Sequence, residues 1–196
     1  PQGSRTMGPS GKPLVLVVDD EPDVADTYAL RLEDEYETRV VYSGEAALEA
    51  MDDSVDAVLL DRRMPDKHGD EVLAEIRERG FDCPIIMTTA VDPDLNILEM
   101  DFDDYLTKPI FQATLLETLE QHLDVSAAED PRLQEFFATV SKLSVLEEEK
   151  NRAELADSAE YQRLQDRAEE LGQELREEVS DFDEIVSMHR DIERGT

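Results

Sequence analysis

Tryptophan is absent from the 196 residues, cysteine occurs once, and lysine is confined to Lys12, Lys67, Lys108, Lys142 and Lys150. One cysteine excludes an internal disulfide, and Cys83, beside an apolar run, reads as a small buried hydrophobe rather than a reactive thiol. No apolar stretch approaches the length of a membrane span and no signal-peptide pattern precedes the first apolar run, so a cytoplasmic location is expected. Positive charge is scarce: 19 Lys and Arg stand against 50 Asp and Glu, a formal net charge of −31. A field of that sign repels nucleic acid and anionic membranes, and no basic patch offsets it, so neither is an expected partner. An acid-rich, lysine-poor surface suits a protein built for concentrated salt, an ordinary acidic protein being the alternative.

What is present is enough for a real core. Apolar residues make up 40% of the chain, and its length leaves room for one ordinary domain and a smaller second element. Residues 1–12, PQGSRTMGPSGK, read as a disordered leader, in part left over from expression. From 13 to 124, short apolar runs alternate with segments of helical period, the pattern of a parallel sheet covered on both faces. Strands are expected at 14–19, 38–42, 56–61, 83–90 and within 103–109. Helices are expected at 22–34 with Val24, Tyr28, Leu30 and Leu32 near helical spacing, after Ser43, at 69–80 with Gly80 as C-cap, and at 111–123. Five such units give a flavodoxin-like (βα)5 doubly wound sheet, whose ligands bind at the carboxyl ends of the strands.

That rule gives meaning to VLVVDDEPD, where four apolar residues run into three acids, Asp19, Asp20 and Glu21. Two like charges about 4 Å apart repel by roughly 4 kcal/mol at an effective dielectric of about 20, so a cation belongs among them. The same sheet edge receives Asp61 from strand three, Thr88 and Thr89 from strand four, and Lys108 from strand five. Carboxylates with room for water suit Mg²⁺.

The motifs VDDE, LLDRRMP, MTTA and YLTKP, in this order, make residues 13–124 resemble the receiver domain of two-component response regulators. The resemblance implies that Asp61 accepts a phosphoryl group from a sensor histidine kinase. It implies that Asp19, Asp20 and Asp61 hold Mg²⁺ with the backbone carbonyl of Arg63, and that Thr89 and Lys108 bind the phosphoryl oxygens. Tyr105 would be the aromatic that changes rotamer with Thr89, and Pro109 would follow a cis peptide. On this reading the chain is a phosphoacceptor with slow self-dephosphorylation rather than an enzyme. Two features depart from the family pattern. The chain between Thr89 and Lys108 is about one helical turn short, so the fourth helix is expected to be short or irregular. From Asp92 to Asp124 Lys108 is the sole Lys or Arg, which removes the charge pairs that relatives use to dimerise through this face. Arg62 and Arg63 either restrain water attack on the acyl phosphate or face solvent and offset an acidic rim.

Beyond 125–131, read as a linker, glycine and proline vanish until Gly172. Leu133, Phe136, Phe137, Val140, Leu143 and Leu146 mark one amphipathic helix ending near Ala156. A second, capped by Asp157 with Glu160 in capping-box position, carries Tyr161, Leu164, Ala168, Leu171, Leu175, Val179, Phe182 and Ile185. Their alternating spacing of three and four resembles a coiled-coil seam. The pair is expected to form a helical hairpin, either contributing its second arm to a homodimer or docking on the receiver. Residues 132–196, and 141–171 above all, resemble the HalX domain found behind receivers of halophilic archaea. None of His68, His122 and His189 reads as catalytic. Two rivals remain: a DNA-binding transcriptional response regulator, which needs a basic helix, and a haloacid-dehalogenase-type phosphatase, which needs an acid two residues after its nucleophile, where Arg63 stands.

Overall fold

The computed structural model describes residues 11–128 and 130–193, with 188–193 by backbone alone. The leader expected at 1–12 lies almost wholly outside the described residues, as does the side chain of His189. Strands β1 (Leu14–Val18), β2 (Glu37–Val41), β3 (Ala57–Leu60), β4 (Ile85–Thr89) and β5 (Asp104–Thr107) form one parallel sheet in the order β2-β1-β3-β4-β5. Helices α1 (Pro22–Leu32), α2 (Gly44–Ala50) and α3 (Gly69–Glu78), a 3-10 turn (Leu95–Glu99) and α4 (Gln112–Ala127) connect and follow the strands. Every residue of β1, β3 and β4 is buried, which is why these strands are unbroken apolar runs. Edge strand β2 is half-buried throughout and tolerates Glu37, Thr38 and Arg39.

The chain runs outward from β1 to β2, then crosses back so that β3 lies on the other side of β1. This reversal opens a crevice at the carboxyl ends of β1 and β3. The register pairs Val18 with Leu60, so the next residue on each strand, Asp19 and Asp61, arrives at the same level. Both strands end one residue earlier than the expected ranges, although the Asp61 amide still donates to the Val18 carbonyl at 2.9 Å and the Asp19 amide to that of Val41 at 3.3 Å.

Helix ends follow their local chemistry. Pro22 opens α1, and the Ser43 hydroxyl caps α2 by accepting from the Ala46 amide. Gly80, at φ 90°, stops α3. Leu30, expected with the apolar stripe of α1, is 67% exposed. The buried stripe is Ala25, Tyr28 and Leu32, spaced by three and four, and a residue two positions past Tyr28 points away from it. Cys83 is half-buried rather than buried. The fourth connection, expected to be short or irregular, is the 3-10 turn.

The tail has four helices where two were expected: α5 (Pro131–Glu149), α6 (Arg152–Ala156), α7 (Ala159–Glu178) and α8 (Phe182–Glu193). Asn151 breaks the first arm by accepting from the Glu154 amide, offering the backbone an alternative to continuing the helix. The cap of α7 is Ser158, which accepts from Tyr161, and not Asp157. The expected second arm ends at Val179, whose backbone is extended, and Phe182 then starts a separate helix. That break turns Phe182 onto Phe136, ring centroids 5.1 Å apart. Arg132 pairs with Glu174 and Glu178, Arg167 with Glu135, and Tyr161 with Glu147, so α5 and α7 run antiparallel. Val125, Leu133, Phe136, Phe137, Leu171, Leu175 and Phe182 form one apolar cluster. Much of the expected seam is thus buried among the chain's own helices, with Leu164, Val179 and Ile185 half-buried.

Two compact units interleave in sequence. One takes the residues up to Val91 with Met100–Phe102 and Leu106–Pro109; the other takes Asp92–Glu99, Asp103–Tyr105 and the chain from Ile110 onward. The segment read as a linker from 125 is helical as far as Ala127.

Gly69 is required by contact rather than by φ. A Cβ there would lie 2.2 Å from the Asp61 carbonyl oxygen and 2.8 Å from the Arg62 Cα. Gly69→Ala should cost about 2–3 kcal/mol in chemical denaturation, whereas Gly80→Ala, which meets no atom within 4 Å, should cost only about 1 kcal/mol of αL strain.

Candidate functional site

At the crevice, Asp19, Asp20 and Asp61 each bring a carboxylate oxygen, and the three oxygens lie within 4.8 Å of one another. Asp19 is fully buried. Its Oδ1 accepts from the Glu21 amide at 3.0 Å, and its Oδ2 accepts from Lys108 Nζ at 2.7 Å. The Lys108 ammonium also lies 3.8 Å from Asp61 Oδ1. One cation thus bridges two acids, and the third acid has no such neighbour within its own motif.

Burial and that shortage together set the electrostatics. Burial pushes the Asp61 carboxyl up to about 7; Lys108 opposes the rise, while the charge of Asp19 and a hydrogen bond and charge from Asp20 add to it. Burial would lower the Lys108 ammonium, yet its hydrogen bond to Asp19 and the charges of Asp61 and Asp19 outweigh burial and raise its pKa. The site therefore keeps its lysine charged and has more acid than one lysine can neutralise. Three clustered hard oxygen donors in an open cleft are a fit for Mg²⁺, which takes one or two carboxylates and fills its remaining positions with water or phosphate oxygen. Asp19, Asp20 and Asp61 would hold it.

The cleft, about 480 Å³, is lined by Asp20, Glu21, Asp61, Arg63, Thr89, Ala90, Val91 and Lys108. Thr89 is buried at the end of β4, its Oγ1 accepting from the Val91 amide at 3.2 Å, and its carbonyl accepts from the Lys108 amide at 2.8 Å. The Lys108–Pro109 peptide is cis. Asp19, Asp20, Asp61, Arg63, Thr89 and Lys108 are thus brought together. Tyr105 is buried on β5, in the other compact unit.

The two arginines after the acceptor separate. Arg62 is buried, with Nε 3.0 Å from Asp70 Oδ1, so neither expected role describes it. Arg63 is exposed and lines the cleft. The loop between them and α3 is pinned at several points. Asp66 accepts from the Gly44 and Glu45 amides at the start of α2, Lys67 pairs with Glu75, and the Arg62 carbonyl accepts from the Gly69 amide at 2.7 Å.

Three participants were not singled out in the sequence. Tyr28 is buried near enough to feel Lys108, Asp19 and Asp61, and burial, with Lys108 opposing it, raises its phenol pKa. Its helical spacing from Leu32 marked it as core, and nothing in the spacing told core from site. Asp66 and Gly69 hold the loop, and their signal was only the length of the connection after LLDRRMP. His68 is an exposed residue before α3. His122 is buried, Nε2 2.9 Å from Asp104 Oδ2, and takes no part in the crevice cluster.

Comparison with known proteins accounts for this constellation. The model of the response regulator receiver domain matches residues 15–120, and that of the HalX domain matches residues 125–195. A curated Haloferax volcanii protein named "Putative transcriptional regulator" is 49% identical over 135 residues, covering 68% of this chain and 23% of that protein. The chain thus spans about a quarter of that relative's length. Among solved structures, the BeF3-activated receiver domain of Klebsiella pneumoniae RstA is 32% identical with a TM-score of 0.52, over 56% of this chain and 97% of that one. The non-phosphorylated HemR receiver domain of Leptospira biflexa is 26% identical with a TM-score of 0.56, over 61% and 100%. A CheY-like receiver domain protein from Methanospirillum hungatei is 26% identical with a TM-score of 0.54, over 58% and 94%. With its receiver match running over more than half of the residues, the chain belongs to the response regulator receiver family and carries a HalX domain behind the receiver.

Proposed function

We propose that Asp61 accepts a phosphoryl group from the phosphohistidine of a sensor kinase, and that this loading switches the C-terminal helical module. The observation that carries the reading is the meeting of Asp19, Asp20, Asp61 and Lys108 at one sheet edge. A carboxylate oxygen of Asp61 bonds to phosphorus as the phosphorus–nitrogen bond breaks, and the electron pair returns to the imidazole. Bound Mg²⁺ would supply charge neutralisation for the phosphoryl oxygens. Lys108 places its ammonium beside Asp61 for a second such oxygen, and the Thr89 hydroxyl, which accepts from the Val91 amide, keeps its own proton to donate to a third. Positioning and charge neutralisation are what phosphoryl transfer asks of a protein. Asp61, Lys108 and Thr89 carry the chemistry, while Thr89 and Tyr105 form the switch, a two-state element biased by local charge.

A second reading, output as transcriptional control, is favoured by the name of the Haloferax relative. Direct DNA contact by this chain is opposed by its charge, since from Pro131 onward acids are about twice as many as bases. Among the described residues no helix is long and apolar enough to cross a membrane.

Three outcomes test these statements. A small-molecule phosphodonor with Mg²⁺ should add one phosphoryl mass to the chain, Asp61→Ala should abolish it, and generic phosphate esters should show no sustained turnover. Because folding raises the Asp61 pKa, this group's contribution is greatest below its unfolded value of about 3.9 and is lost as pH climbs through about 7. Metal-free Asp61→Asn should therefore be more stable than the parent by about 2 kcal/mol at pH 8, with the gain vanishing near pH 4; Mg²⁺ should stabilise the parent and leave the variant nearly unmoved. In gel shifts across a salt series the chain should show no tight promoter binding, and tight binding at any ionic strength would defeat the preference for a protein-interaction output.

A further inference from the structure

The start of α2 is completed by the loop that follows Asp61. A helix leaves its first amides without intrahelical partners, and in a helix of seven residues they are a large share of the whole. Ser43 takes one of them, its Oγ accepting from the Ala46 amide at 3.1 Å. Two more go to Asp66, far along the chain: its Oδ1 accepts from the Gly44 amide and its Oδ2 from the Glu45 amide, each at 3.2 Å. Desolvation would raise the Asp66 carboxyl, yet hydrogen bonds from backbone amides, those of Glu45 and Gly44 foremost, outweigh it and hold the group below the ordinary aspartate range. It therefore accepts as a full anion at the positive end of the helix dipole. The docking is close as well as polar. A Cβ on Gly44 would lie 2.9 Å from the Lys67 Cβ and 3.0 Å from the Lys67 carbonyl oxygen, so the loop sits directly on the helix start.

The same loop bears on the carboxylate cluster. Its ends close on each other where the Gly69 amide donates to the Arg62 carbonyl at 2.7 Å, and Gly69 packs on the Asp61 carbonyl so closely that a Cβ would lie 2.2 Å from its oxygen. Within the loop Met64 is buried and Arg63 lines the cleft. Asp19, on the neighbouring strand end, is buried and held separately, its Oδ1 accepting from the Glu21 amide. The spacing between Asp61 and Asp19 thus depends on where the loop rests, and it rests on α2. We infer that Asp66 is a positioning residue for the acidic cluster: by capping α2 it holds the loop, and through the loop Asp61 and Arg63, in place beside Asp19 and Asp20. This rests on the reading of Asp19, Asp20 and Asp61 as a Mg²⁺ site. Mg²⁺ demands near-ideal octahedral geometry, so its affinity registers small displacements of a ligand that leave the fold intact. Asp66 is not among the residues that line the cleft, and its effect on the cluster passes through the backbone.

Calorimetric titration of Mg²⁺ into the full chain, alongside urea unfolding of the metal-free protein, tests this; high salt in both screens the loss of one exposed charge. Asp66→Ala should weaken Mg²⁺ binding about fivefold, the size expected when a hydrogen-bonded tie is lost. Asp66→Asn, which keeps the shape and one acceptor oxygen, should weaken it about twofold and covers the case in which the alanine variant does not fold. Ser43→Ala is the control. It removes the other cap of α2 and should lower the urea midpoint as Asp66→Ala does, yet bind Mg²⁺ as the parent does. A lowered urea midpoint with parental Mg²⁺ affinity in both Asp66 variants would make Asp66 an ordinary helix cap and overturn the role. Equal losses of affinity in Ser43→Ala and Asp66→Ala would overturn it too, because the effect would then belong to α2 as a whole. Absence of Mg²⁺ binding by the parent would instead overturn the reading of the cluster as a metal site, and this role with it.

Discussion

Excess negative charge at the crevice is the constraint from which the rest of the receiver follows. Three carboxylates converge where one ammonium is available, and the sheet reversal between β1 and β3 makes the convergence unavoidable. Burial first, and then the neighbouring charges of Asp19 and Asp20, push the Asp61 carboxyl well above an ordinary aspartate, and Lys108 opposes them only in part. On the reading proposed above, a bound metal would add the positive charge that the cluster lacks, and an incoming phosphoryl group would find Lys108 already beside Asp61.

Much of this was legible from residue order. Parallel, doubly buried strands announce themselves as apolar runs, and acids placed directly after such runs must lie at the carboxyl edge. Hence Asp19, Asp20, Asp61, Thr89 and Lys108 could be assigned to one place from the sequence. What could not be read depends on three-dimensional neighbours. Arg62 looks like any surface arginine until Asp70 is seen beside it. Leu30 looks like part of a stripe because apolar character alone does not say which of two overlapping helical faces is inward. His122 looked like a helix-end residue, and its burial against Asp104 depends on how the helix folds back on the strand before it.

The tail shows the same division. Its apolar positions were recognisable, and most are buried. Its breaks were not, because Asn151 and Ser158 interrupt helices by local side-chain competition that weighs little against a sustained heptad-like pattern, and Val179 carries no signal of the extended backbone found there. One consequence is that Phe182 meets Phe136: a continuous arm would have carried Phe182 away from that ring.

The loop that follows Asp61 is moored to α2 through Asp66, to α3 through Arg62 and Lys67, and to its own backbone at Gly69. If Asp61 is the acceptor proposed above, this bank of the crevice is the stiff one, and movement on loading is expected at the ends of β4 and β5 instead.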